Sequence, residues 1–163
     1  MRIGVVSDTH NNVRNIKKVI NIFNEERVDK VIHTGDISKA KSLELFSQLN
    51  VPMTGVYGNN DRTENGLEEV ALKYNFYFQQ PPLLLTLANK KIAIFHEPDE
   101  IEKYVNQHND LDLVLHGHTH RFRKEKIKGT IYFNPGESAG FLEGKSVLGI
   151  IDLHGLKIKR IFF

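Results

Sequence analysis

Short apolar runs and polar loops alternate along most of the chain. "RIGVV" at 2–6 and "KVI" at 30–32 predict short buried strands. Pro52–Tyr57, Leu83–Leu87, Ile92–Phe95 and Leu113–Leu115 repeat the signal, and Thr130–Phe133, Ser146–Ile151 and Leu156–Ile161 close the chain with it. Between the early runs the apolar period lengthens to that of a helix. Val13, Ile16, Ile20 and Phe23 share one helical face. Leu67, Val70, Ala71 and Tyr74 recur at i, i+3, i+4 and i+7, as do Ile101, Tyr104, Val105 and His108. Ser42 is placed to cap a shorter helix holding Leu43, Phe46 and Leu49.

Strand–helix alternation in the first half predicts parallel pairing with crossover helices. The strands of the last third, with tight turns such as "NKK" and "DLHG", predict antiparallel hairpins. An α/β fold of two mixed sheets packed face to face, with helices outside, satisfies both. The 163 residues are enough for one domain, residues 1–163, with a real core. No repeat or linker interrupts them, and "QQPP" at 79–82 reads as a kink.

Composition narrows the chemistry. Apolar residues make up 40%, enough for a core. The absence of Cys excludes disulfides, thiolate metal sites and a Cys nucleophile. A net charge of +2 gives no argument for a nucleic-acid partner. No apolar run approaches the roughly 20 residues of a membrane helix. The opening "MRIGVVSDTH" lacks a signal peptide's apolar region, so the expectation is a soluble cytoplasmic protein without a membrane partner.

The polar residues cluster where the strands end. "SDTH" brings Asp8 and His10, "HTGD" brings Asp36, and "GNND" brings Asn59 and Asp61. "HE" brings His96, and "HGHTH" brings His116, His118 and His120. Strand carboxyl ends in α/β sheets line one crevice, so these loops are expected to meet. Any one Asp or Asn after a strand is ordinarily a cap or turn former. Three His in five residues are hard to explain as packing. Asp8, His10, Asp36, Asn59, His96, His118 and His120 form an O- and N-donor set suited to Mn, Fe, Co, Ni or Zn rather than Ca or Mg. Seven ligands exceed one tetrahedral ion but fit two ions sharing a carboxylate. In extended chain the i, i+2 spacing of "DTH" and "HTH" points both ligands to one side. His33 and His116, beside strand ends, are expected to be core or supporting histidines. His108 and His154 receive no role.

The ordered set "SDTH", "HTGD", "GNND", "FHE" and "HGHTH", over residues 7–120, resembles the calcineurin-like metallophosphoesterases, in particular the small YfcE-type phosphodiesterase branch. "FNPGES" at 133–138 resembles the N-P-G-S segment that follows in that family. The resemblance implies a four-layer αββα sandwich. It implies two divalent transition-metal ions, Mn or Ni foremost, one held by Asp8, His10 and His120 and the other by Asn59, His96 and His118, with Asp36 bridging. It implies in-line attack of a metal-bridging hydroxide on a small phosphodiester, with Asp36, Asn59 and His118 central to catalysis.

Two positions depart from the family pattern. Asn60 stands where many members carry a His that protonates the leaving oxygen, and an amide is no general acid. The expectation is a hydrolase restricted to acidic leaving groups, with Asp61 anchoring the loop through backbone N–H groups. Glu137 stands where Ser is common; facing the site, it disfavours dianionic monoesters. The basic residues Arg121, Arg123, Lys124, Lys126 and Lys128 read as the solvated face of a hairpin. The C-terminal "IFF" reads as a strand end, with a homo-oligomer contact as the alternative. Two other functions compete: a phosphomonoesterase on a nucleotide or phosphoprotein, and a non-catalytic scaffold like the phosphoesterase-like subunit of retromer. The full ligand set argues against the scaffold.

Overall fold

In the computed structural model, residues 1–108, 110–141 and 144–163 are described. The first half is β1 (Arg2–Val6), α1 (Val13–Glu25), β2 (Lys30–His33), α2 (Ala40–Leu45), β3 (Met53–Val56), α3 (Leu67–Lys73) and β4 (Tyr77–Gln79). It continues with β5 (Leu83–Leu87), β6 (Lys90–Ile94), α4 (Ile101–Gln107) and β7 (Leu113–Leu115). Four strands complete it: β8 (Arg123–Ile127), β9 (Thr130–Asn134), β10 (Val147–Asp152) and β11 (Lys157–Phe162).

The strands form two mixed sheets. One runs β11-β10-β1-β2-β3-β4 and the other β5-β6-β7-β9-β8. In the first, β1, β2, β3 and β4 pair in parallel, β10 adds antiparallel to β1, and β11 adds antiparallel to β10. In the second, β6, β7 and β9 are parallel, and β5 and β8 are antiparallel edges. Residues 80–82 carry the chain from one sheet to the other, so "QQPP" is the crossing point.

Three apolar layers hold this arrangement. Alternate residues of β1 point to opposite faces. Ile3 and Val5 pack with Ile92, Ile94, Leu113, Leu115 and Phe133 between the sheets. Val6 instead joins Ile16, Ile20 and Phe23 of α1 on the outer face. Ala93, Phe95 and Val114 pack against Ile101 of α4 outside the second sheet. Four layers, αββα, result.

Two strands and one cap differ from the sequence expectation. β4 is a three-residue edge with an exposed Tyr77, too short to carry a period. β8 is the charged run "RKEKI", mostly exposed and paired with β9 alone. Its charges suit an unprotected sheet edge and hide the strand from an apolar-run criterion. The basic residues of this segment are indeed the solvated side of a hairpin. Ser42 does not cap α2: Lys39 holds the N-cap position, and Ser42 lies inside the helix, its Oγ donating to Asn11 Oδ1 at 2.7 Å. Phe46–Gln48 tighten into a 3-10 turn, so Leu49 falls outside any helix.

Candidate metal centre

The carboxyl ends of β1, β2 and β3 in one sheet meet those of β6, β7 and β9 in the other. All seven predicted ligands lie there. Asp8, His10 and His120 present ligand atoms within 4.8 Å of one another, and so do Asp8, Asp36 and His96. His10 Nε2 and His120 Nε2 are 3.4 Å apart, and His120 Nε2 is 3.5 Å from Asp8 Oδ1. Asn59 Oδ1 lies 3.0 Å from both His96 Nε2 and His118 Nδ1. Asp36 stands between the groups, Oδ1 3.3 Å from His96 Nε2 and Oδ2 3.9 Å from His10 Nε2.

Proton bookkeeping tests whether this set fits a cation. His96 Nδ1 faces the Thr34 carbonyl at 2.8 Å, so Nδ1 carries the proton of the neutral ring. The Nε2 lone pair then points at two oxygens, of Asp36 and Asn59. That convergence is held together by positive charge, either a proton on Nε2 or a cation seated between the three atoms. The backing of a ligand His by a carbonyl on its other nitrogen is also what metal sites use. His10 is backed through Nδ1 by Ser38 Oγ at 3.2 Å. The donor set therefore fits transition-metal ions.

The loops are not extended, contrary to the spacing argument for "DTH" and "HTH". Asp8 (φ 50°), His10 (φ 42°), His118 (φ 67°) and His120 (φ 57°) are all left-handed, as is Asp36 (φ 59°). The chain curls at these five candidate ligands rather than alternating. Such conformations cost on the order of 1 kcal/mol or more each, less for Asp and His than for branched residues, and collect at functional sites.

Polar residues beside the ligands hold the curls. Asp61 accepts four backbone N–H groups: Asp36 (2.9 Å), Ile37 (2.8 Å), Ser38 (2.7 Å) and Gly58 (2.8 Å). It thus staples the "GNND" loop to the "HTGD" loop, the anchoring role expected of it. Asn60 donates to Asp36 through its backbone N (3.0 Å) and Nδ2 (2.7 Å). Asp8 accepts from Ser7 Oγ and from His118 N at 3.1 Å. Two glycines are required by closeness alone: a Cβ on Gly58 would strike Asp36, and one on Gly117 would strike Ser7 and Asp8.

Burial pushes His33 down to about 3, so its ring is neutral. Gly35 N donates to His33 Nδ1, leaving Nε2–H to donate to Thr9 Oγ1 at 3.0 Å. His33 thereby braces both motif loops without facing the ligands. His116 is likewise pushed down to about 4 by burial, and its Nδ1 lies 3.2 Å from Gly117 O. Burial alone would raise Asp36, but the neighbouring His96 and the hydrogen bonds from Asn60 overcome it and hold the carboxylate ionised.

Three contributors escaped the sequence reading. Asn134, in the quoted "FNPGES", donates to Gly117 O (2.9 Å) and Thr119 Oγ1 (3.2 Å), fixing the His-rich loop. Thr34 backs His96 through its carbonyl, which no side-chain pattern reports. Phe141, which directly follows the small-residue run "SAG", stacks on His120. Glu137 is 1% exposed and receives Gly140 N at 2.7 Å, so it supports the loop beneath the centre rather than lining its mouth.

A match to the calcineurin-like phosphoesterase superfamily domain covers residues 1–155. A phosphodiesterase of Methanocaldococcus jannaschii is 32% identical over 163 residues, spanning 99% of this chain and 98% of the relative. The solved structure of an archaeal phosphodiesterase, also 32% identical, superposes over 100% of both chains with a TM-score of 0.91. YfcE, a phosphoesterase from E. coli, shares the fold at 18% identity, TM-score 0.70, over 99% of this chain and 98% of its own. Vps29 from Entamoeba histolytica does so at 21% identity, TM-score 0.66, over 100% and 99%. The chain belongs to the calcineurin-like phosphoesterase superfamily.

Proposed function

We propose that residues 1–163, as one domain, form a divalent-metal-dependent phosphodiesterase. The observation that carries this reading is the convergence of lone pairs from His96, Asp36 and Asn59 beside the Asp8–His10–His120 group. The M. jannaschii relative, named a phosphodiesterase, supports the substrate class. Asp8, His10 and His120 would hold one ion and Asn59, His96 and His118 the other, with Asp36 placed to serve both. With no sulfur donor, Mn²⁺ or Ni²⁺ suits the set, and Fe, Co or Zn fits next. When bound, two such ions supply charge neutralisation for a phosphoryl group and a nucleophile at neutral pH.

The chain's own residues do the positioning. Asn60 and Asp61 fix Asp36 from two sides. His118 is held by its backbone bond to Asp8, so its ring stays at the mouth beside Asn59. Asn60 is spent on Asp36 and offers no titratable proton to a departing alkoxide. Acidic leaving groups, such as nitrophenolate, are therefore the favoured substrates.

Metal-stripped protein given Mn²⁺ or Ni²⁺ separately, with a chromogenic diester and its monoester, tests the reading. Turnover of the diester above the monoester is expected, and Asp36→Asn should abolish it and weaken binding of both ions. Bound metal with no turnover of either ester overturns the proposal.

A further inference from the structure

Phe141 is an exposed aromatic ring on the wall of a polar centre. It is 64% exposed. Its ring lies nearly parallel to His120, 10° between planes and 5.4 Å between centroids, and 4.9 Å from His10. The backbone before it is pinned to the start of α1. Asn12 Nδ2 donates to Ala139 O (2.6 Å), Asn15 Nδ2 donates to Ser138 O (2.8 Å), and Gly140 N donates to the buried Glu137 (2.7 Å). Gly140 is itself left-handed (φ 80°), and a Cβ there would come within 2.9 Å of Asn15 Nδ2. Asn12 and Asn15 directly follow the loop that carries Asp8 and His10. The segment that presents the ring is therefore fixed to the element that presents the ligands.

We propose that Phe141 is a specificity-determining platform that stacks against an aromatic ester substituent, aryl or nucleobase, of a phosphodiester bound at the centre. The inference rests on the phosphodiesterase reading of that site. A phosphoryl group beside His10 and His120 carries one ester arm past this ring. A flat apolar face favours a flat arm and gives a small alkyl arm nothing extra. The backbone leading to the ring is already tied down, which lowers the ordering cost of binding.

Binding separates this role from packing on His120. The probes are phenylphosphonate and methylphosphonate, titrated calorimetrically into the Mn²⁺-loaded protein. Wild type should prefer the phenyl compound by roughly 3- to 10-fold, the range of an aromatic pair. Phe141→Ala and Phe141→Leu should bring the phenyl-over-methyl preference within about 2-fold, the ratio cancelling any common effect on His120, and Phe141→Tyr should keep it. A preference that survives in Phe141→Ala, or an equal loss for both probes, overturns the proposal. Turnover of bis(p-nitrophenyl) phosphate is read separately. Phenyl preference without turnover would sink the hydrolase reading and leave the platform standing.

Discussion

Asn60 holds Asp36 by both of that residue's carboxylate oxygens, its backbone N reaching Oδ1 at 3.0 Å and its Nδ2 reaching Oδ2 at 2.7 Å. The residue that replaces a general acid is thus committed to the carboxylate placed between the two ligand groups. It orients Asp36 and donates no proton.

Restoring an imidazole should change which esters react. Asn60→His is expected to raise turnover of alkyl esters relative to nitrophenyl esters, up to the 10²–10⁴-fold typical of general acids. Steady-state rates on a matched alkyl and aryl pair check this. Equal responses from both esters would remove the leaving-group argument.

Asp61 is the staple between two ligand loops. In Asp61→Asn one oxygen becomes a donor, so two of the four N–H groups lose their acceptor. A loss of roughly 2–4 kcal/mol is expected by denaturant unfolding of the metal-free protein. A change below about 0.5 kcal/mol would show that the loops hold themselves.

Gly117 tests closeness. Gly117→Ala places a methyl against Ser7 and 2.8 Å from Asp8 Oδ2. Asp8 must shift to make room. Mn²⁺ affinity is expected to fall by roughly 10- to 100-fold, as when ligand-supporting groups are disturbed. Unchanged affinity in a calorimetric titration would mean Asp8 is not a ligand.

At the far end of the sheet, Glu26 joins Lys159 (2.7 Å) and Arg2 (2.9 Å), which lower its carboxyl below the ordinary 4.5. The unfolded chain binds this proton more readily, so stability rises with pH across that window. The contribution is full above 4.5 and fades as pH falls through the folded value. Glu26→Gln should cost under about 1 kcal/mol at neutral pH, because the pair is partly exposed. The cost should vanish in acid; a constant cost from neutral pH to pH 3 would contradict the pairing.

Most of the layout is legible in one dimension. Continuous apolar runs mark the buried strands because both faces of each sheet are covered, and a period of 3.6 marks the long helix, so burial writes itself into residue type. The polar loops are legible for a related reason: Asp, Asn and His at strand ends have no packing purpose. Edges are not legible. β8 is charged because it is exposed, and β4 is too brief to show a period.

The residue pattern alone carries the two-sheet α/β plan, the family resemblance and the seven residues of the candidate centre. How those residues are held emerges in three dimensions. Left-handed turns at Asp8, His10, Asp36, His118 and His120 replace the extended geometry that spacing predicts. Many of the bonds that stabilise those turns come from residues far along the chain, as Asp61 to Ile37 and Asp8 to His118 do. Their partners are backbone N–H groups and carbonyls, which every residue carries and no residue type announces. For the same reason Asn60 and Phe141 take their roles from what lies beside them in space: a carboxylate for one, an imidazole face for the other.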